Sequence, residues 1–199
     1  MAGLVVETLV SYPVDGVWKD RAGLLWGPFS PIYGVGGVLM TVALNRLADA
    51  RPVTLFAASA LVGAAFECAA GWFWKHAFGI VAWSYADQPF NVGGYTCLGM
   101  ALVWGAAGLA WMRLGLPRVV RLFDRIPAPA RRPLASLLFA FLVADAVMTV
   151  VAFGCWFDRQ AGLPAEGPVS AYFAERYDDA FMAERFQTMS IYPDLAHRP

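Results

Sequence analysis

Three apolar runs constrain this chain more than any other feature. Residues 52–74 carry a single charge, Glu67; residues 92–111 carry none; residues 133–157 carry only Asp145. An α-helix rises about 1.5 Å per residue, so roughly 20 apolar residues cross a hydrocarbon core. Each run is that long. A fourth, 31–47, is shorter, with Asn45 and Arg46 as its only strongly polar residues. Backbone polar groups in lipid must be satisfied within the segment, which makes these runs helices. The expected fold is therefore all-α: a polytopic transmembrane helix bundle with four spanning helices. Proline opens three of the runs, at Pro31, Pro52 and Pro133, where its missing N–H costs least. The glycines of Gly34-Val-Gly-Gly37 and Gly105-Ala-Ala-Gly108 either let helices approach closely or reflect a general abundance of glycine in such helices.

The rest of the composition agrees. Only 15% of the 199 residues are charged, against about 25% in soluble domains. Eight tryptophans and seven tyrosines suit the aromatic belts of a membrane protein. A formal net charge of zero supplies no basic field for nucleic acid. Cys68, Cys97 and Cys155 are far apart, and His76 and His197 have no partner at metal-ligand spacing. No metal site, cofactor or disulfide framework is expected.

The ends differ from the middle. Residues 1–11 are apolar apart from Glu7 and Thr8, too short to span and without the basic start of a signal peptide. They read as a partial N-terminal helix or an interfacial segment. Residues 158–199 form a polar tail, in which the helical spacing of Tyr172, Phe173, Phe181, Met182, Phe186 and Met189 predicts a short helical appendage on the outer face. The expected division is a bundle over 1–157 and a tail over 158–199.

Arginine sets the orientation. The 113–132 loop holds Arg113, Arg118, Arg121, Arg125, Arg131 and Arg132, and the turn after the first run holds Arg46 and Arg51. With four spans these loops share one side, which the positive-inside rule makes cytoplasmic. Segments 12–30 and 75–91 then lie on the outer face. Arg118, Arg121 and Arg125, at spacings of three and four, form one stripe of a helix over 116–126. That stripe is either an interfacial surface for anionic membrane lipid or a topology anchor.

Two polar, aromatic strings precede apolar runs: Arg21-Ala-Gly-Leu-Leu-Trp-Gly-Pro-Phe-Ser-Pro-Ile-Tyr-Gly34 and Trp83-Ser-Tyr-Ala-Asp-Gln-Pro-Phe-Asn-Val-Gly-Gly94. With Glu7 ahead of the first, Glu67 between them, and Cys97 and Leu98 after the second, the chain resembles the putative ABC transporter permease family, also called ABC transporter type IV. These are small polytopic bacterial membrane proteins, and the resemblance covers roughly residues 5–112. It departs from the family pattern at three places. The first helix is largely absent, Tyr95 replaces an arginine, and Ser84 replaces an aspartate. The resemblance implies a permease-like subunit of the bacterial inner membrane. The chain has no Gly-x-x-x-x-Gly-Lys-Ser/Thr loop, so an ATPase would be a separate subunit docking on cytoplasmic loops.

Ionisable groups at membrane depth cost about 2.5–3.5 kcal/mol on insertion scales and are functional candidates by default. Glu67 is the sharpest. It reads as a proton- or cation-binding carboxylate on a substrate path, or as half of a structural ion pair, with Arg21, Lys75 or a backbone hydrogen bond in the bundle as its partner. Asp145 has Thr149 one turn away as a hydrogen-bond partner. Arg21, Trp26, Pro28, Pro31 and Tyr33 mark an irregular stretch of chain leading into a helix, either re-entrant or interfacial. Trp83, Tyr85, Asp87, Gln88 and Asn91 belong to the second string, and Asn91 is also a candidate cap for the following helix. The expected polar site groups Arg21, Glu67 and Asp87 on the outer face. No catalytic motif occurs, so catalysis would require Glu7, Glu67, Asp87 and Asp145 to converge. Three roles remain open: a permease-like subunit, an accessory or assembly protein that binds another membrane protein, and a small enzyme acting on lipid or envelope substrate.

Overall fold

The computed structural model describes residues 23–192, other than 165 and 188. Glu7, Arg21 and the expected partial N-terminal helix lie outside the described residues. The chain is mostly helical, with helices α1 (Pro31–Leu44), α2 (Pro52–Phe78), α3 (Leu98–Ala110), α4 (Leu116–Asp124), α5 (Ala128–Gln160), α6 (Gly167–Arg176) and α7 (Asp179–Arg185). A 3-10 turn, Asn45–Leu47, follows α1, and a π turn, Trp111–Gly115, joins α3 to α4. Strands β1 (Ile80–Val81) and β2 (Ser190–Ile191) pair antiparallel, Ile80 opposite Ile191.

Three stretches are long and apolar enough to cross a membrane: Pro52–Phe78, Leu98–Asp124 and Ala128–Gln160. The segment expected as a fourth span is a helix of 14 residues. At 1.5 Å per residue it covers about 21 Å, short of a hydrocarbon core.

Three boundaries move for identifiable reasons. The apolar run beginning at residue 92 does not begin as helix there. Gly93 (φ 60°) and Gly94 (φ 75°) hold the left-handed backbone that glycine adopts freely, and α3 starts only after the extended residue Cys97. At its far end the helix continues through the π turn to Asp124, so most of the arginines expected in a loop over 113–132 are on helix. The interruption between α4 and α5 covers only residues 125–127. Pro133, expected to open a helix, sits inside α5. The five residues Ala128–Arg132 precede it as helix, and Pro133 forfeits one ladder bond near the helix start.

The chain divides into two compact units. One contains residues 34–70 and 84–141. Its core is Met40, Leu44, Leu55 and Met112, with Val62, Trp104 and Trp111 packed around them. Close helix contact depends on glycine: a Cβ on Gly63 would lie 2.3 Å from Trp104, and one on Gly108 would lie 2.5 Å from the Ser59 side chain. The Trp111 indole N–H donates to Thr41 Oγ1 at 2.8 Å, tying the π turn to α1.

Of the described residues, the other unit contains 23–33, 71–83 and 142–192. Phe153, Trp156, Phe173, Tyr177, Met182 and Phe186 are buried together with Phe78, Ile80 and Leu25. The tail helices thus contribute side chains to this core. Asp178 caps α7, its carboxylate accepting from the Phe181 N–H at 2.8 Å, and Arg159 of α5 pairs with Asp179 at 2.6 Å.

Candidate functional site

Among the described residues each unit buries one acidic side chain, and the two are held differently.

Glu67 lies on α2 in the first unit and is 4% exposed. Thr96 donates its hydroxyl to Oε2 at 2.7 Å, and Tyr85 donates to Oε1 at the longer distance of 3.2 Å. Both donors come from the second aromatic string and its continuation. That string folds on itself: the Tyr85 N–H meets the Gly94 carbonyl at 2.8 Å and the Val92 N–H meets the Thr96 carbonyl at 2.9 Å. Asn91 closes the loop from inside. Its amide donates to the carbonyls of Ala86 and Gln88, and its Oδ1 accepts from the Gly94 N–H. Asn91 is therefore a loop staple and not the helix cap expected of it, because α3 begins seven residues later. The Trp104 indole lies close to Glu67, but its buried N–H completes no hydrogen bond.

The partners expected for Glu67 were Arg21 or Lys75, or a backbone hydrogen bond. Among the described residues both carboxylate oxygens are taken by hydroxyls instead. Asp87 is exposed, and no hydrogen bond joins it to Glu67. Of the expected trio, Arg21 lies outside the described residues.

Asp145 lies on α5 in the second unit and is fully buried. Its Oδ1 accepts the Trp26 backbone N–H at 3.0 Å. Thr149, one turn on, donates its hydroxyl to the Asp145 backbone carbonyl at 2.7 Å and stands 3.5 Å from the carboxylate. The expected Thr149 contact thus goes chiefly to main chain, the usual back-bond of a helical threonine. The same hydroxyl oxygen accepts the Leu25 N–H at 3.0 Å. Two successive amides of the first aromatic string are therefore received by α5.

The carbonyls of that string face another group. Arg185 of α7 donates to Leu24 O at 3.0 and 2.7 Å and also to Gly27 O. The Trp26 indole N–H reaches the Tyr177 hydroxyl at 3.2 Å. The loop is left-handed at Gly27 (φ 67°) and has no regular structure. Its polar backbone is instead satisfied by Asp145, Thr149 and Arg185, as buried irregular chain requires. Asp145 Oδ2 is the exception, buried with no hydrogen-bond partner.

The remaining expected positions do not join either carboxylate by a hydrogen bond. Tyr33, at the start of α1, and Trp83, after β1, are partly buried. Arg118 and Arg121 are exposed on α4 and donate to the Leu114 and Pro117 carbonyls of their own helix. Sequence reasoning did not single out Thr96, Trp104, Tyr177 or Arg185. Among the described residues, no group of three His, Cys, Asp or Glu could hold a metal ion.

Helices of membrane-crossing length, with a buried carboxylate on α2 and another on α5, define a helical membrane protein with polar groups inside its apolar segments. The chain belongs to the family described as Putative ABC-transporter type IV, whose model matches residues 1–150. No curated protein and no solved structure matches it. The matched span includes Glu67, Tyr85, Thr96, Asp145 and Thr149, and ends before Tyr177 and Arg185.

Proposed function

We propose that this protein is the membrane-spanning, permease-like subunit of a transporter whose ATPase is a separate chain. The observation that carries this reading is a carboxylate within an apolar helix, Glu67, buried and met by two hydroxyls, with no cation among its hydrogen-bond partners in the described residues. Buried intramembrane acids are characteristic of ion and substrate paths. Family membership supports the same class, and with no phosphate-binding loop in this sequence, ATP hydrolysis would fall to a partner. Glu67, Tyr85 and Thr96 would form the polar element of the path in one unit, and Asp145 with the Leu24–Gly27 loop that of the other.

Orientation follows from parity. If α2, the α3–α4 helix and α5 each cross once, Arg46 and Arg51 share a side with Arg125, Arg131 and Arg132. That side is cytoplasmic by the positive-inside rule, and the Tyr85–Thr96 loop is then external. The assignment holds whether or not α1 crosses as a fourth span. The ATPase would dock on the cytoplasmic side, where exposed Arg118 and Arg121 are the first candidates.

The test is purification of the tagged full chain from native membranes in mild detergent, with partners identified by mass spectrometry. A near-stoichiometric ATPase, lost in Arg118→Ala/Arg121→Ala, is the expected result. Folded protein that brings no ATPase overturns the reading.

One feature favours an accessory or assembly role instead. Phe90, at the tip of the external loop, is 79% exposed and holds φ at 55°, an uncommon conformation for a bulky residue. A stoichiometric partner without ATPase activity, lost in Phe90→Ala, would select that reading.

A further inference from the structure

We propose that the elbow between α4 and α5 is a binding site for the phosphate headgroup of an anionic phospholipid. The elbow is the short break at residues 125–127, and it encloses an open recess lined by Phe123, Ala128, Pro129, Arg131, Arg132 and Ala135. All of these residues belong to one compact unit.

The three arginines at the elbow have separate roles. Arg131 builds the recess. Its guanidinium donates to Ile126 O at 2.8 Å and Asp124 O at 2.9 Å. It also pairs with the Asp124 carboxylate at 3.5 Å and lies over the Phe123 ring. Asp124 is the only acid between residues 113 and 132, so Arg131 meets the one local negative charge. Arg132 lines the recess, and Arg125 stands on the break itself. Both are exposed, and neither guanidinium has a hydrogen bond or ion pair among the described residues. Two positive charges are thus left for an external anion.

The surroundings identify that anion as a lipid. From the recess, Ala135, Leu138 and Phe139 continue along α5 at helical spacing, and Leu138 and Phe139 are exposed. On the α4 side Leu122 is 62% exposed. Charge therefore gives way to exposed apolar surface within one helical turn from Arg125 to Leu122, and within two turns, or about 10 Å, from Arg132 to Leu138 and Phe139. This is the profile of an amphiphile lying with its phosphate at the arginines and its chains along α5. A free anion would have no use for the apolar stripe, and an acidic protein surface would not follow it into the bilayer. The proposal stands whether or not the chain transports anything.

The test uses the full chain reconstituted with phosphatidylglycerol and phosphatidylcholine, then released into mild detergent, with retained lipid counted by native mass spectrometry. The wild type is expected to retain phosphatidylglycerol over phosphatidylcholine. Arg125→Ala/Arg132→Ala is expected to retain it roughly thirtyfold less, given about 1 kcal/mol per arginine near a membrane surface. Arg118→Ala/Arg121→Ala, whose guanidiniums already serve their own helix, is expected to retain it like the wild type. Equal retention by Arg125→Ala/Arg132→Ala overturns the proposal, as does equal retention of the two lipids by the wild type. Displacement of the lipid by millimolar inorganic phosphate would mark a site for free phosphate and would also overturn it. So would loss of a co-purifying protein from Arg125→Ala/Arg132→Ala while lipid retention stays unchanged, since that pattern marks a protein dock.

Discussion

The two buried carboxylates solve the same problem in opposite ways. Glu67 receives side-chain hydroxyls on both oxygens, from Tyr85 and Thr96. Asp145 receives a backbone amide on one oxygen and nothing on the other. Around Glu67 the loop is held by its own hydrogen bonds and brings two side chains to the acid. Around Asp145 the loop has little internal structure, and the acid, Thr149 and Arg185 together hold its backbone. In the first case the loop organises the carboxylate. In the second the carboxylate helps to organise the loop. A charge that is buried and fully hydrogen-bonded is a structural asset, whereas one with an open position keeps capacity for a further partner.

This contrast yields predictions of decreasing size. The largest effect is expected from Arg185→Ala. It removes three donor contacts to the Leu24 and Gly27 carbonyls and should destabilise the second unit by about 3 kcal/mol, since bonds from charged donors are worth about 1.5–3 kcal/mol each and are not additive. Thermal unfolding in detergent would report the loss, and hydrogen exchange should show the Leu25 and Trp26 amides opening first. If those amides stay protected, α5 alone holds the loop and the contrast fails.

Next comes Thr96→Val, which strips the shorter of the two bonds to Glu67. A cost of about 2 kcal/mol is expected from a buried acceptor losing its donor. Tyr85→Phe, which removes the 3.2 Å bond, should cost less, about 1 kcal/mol. Equal costs in the same unfolding assay would mean that the two hydroxyls are interchangeable. Asp145→Asn is expected to be milder still, under about 1 kcal/mol. The amide oxygen can keep the Trp26 N–H, and one unpartnered buried atom replaces another. A cost above that of Thr96→Val would show that Oδ2 has a partner in the membrane-embedded protein.

The smallest effect carries the opposite sign. Phe90→Gly should stabilise the Tyr85–Thr96 loop by up to about 1 kcal/mol, because glycine holds φ near 55° without strain. Destabilisation on the same melting curves would show that the exposed ring makes a contact of its own.

Several features of the fold are legible residue by residue. Glu67 and Asp145 stand out because each is the lone acid in an apolar run. The arginine stripe of α4 is readable from its spacings alone. The boundaries of α3 are not, because apolarity continues through residues 92–97 while Gly93 and Gly94 turn the chain. Thr149 is partly legible as a neighbour one turn from Asp145, yet its hydroxyl goes to the carbonyl. Arg185 carries no local signal at all, being 161 residues from the carbonyl that it holds.

Hydropathy along the chain is enough to make this a helical membrane protein and to select its buried acids. Transfer to lipid is close to a sum over neighbouring residues, and backbone satisfaction inside a helix is local. Which groups meet those acids is a different kind of question. Thr96 is 29 residues from Glu67, and Trp26 is 119 from Asp145. Hydrogen bonds depend on distance and angle to a few tenths of an ångström. Only the packing of helices at glycine contacts and the folding of two irregular loops bring those atoms within reach.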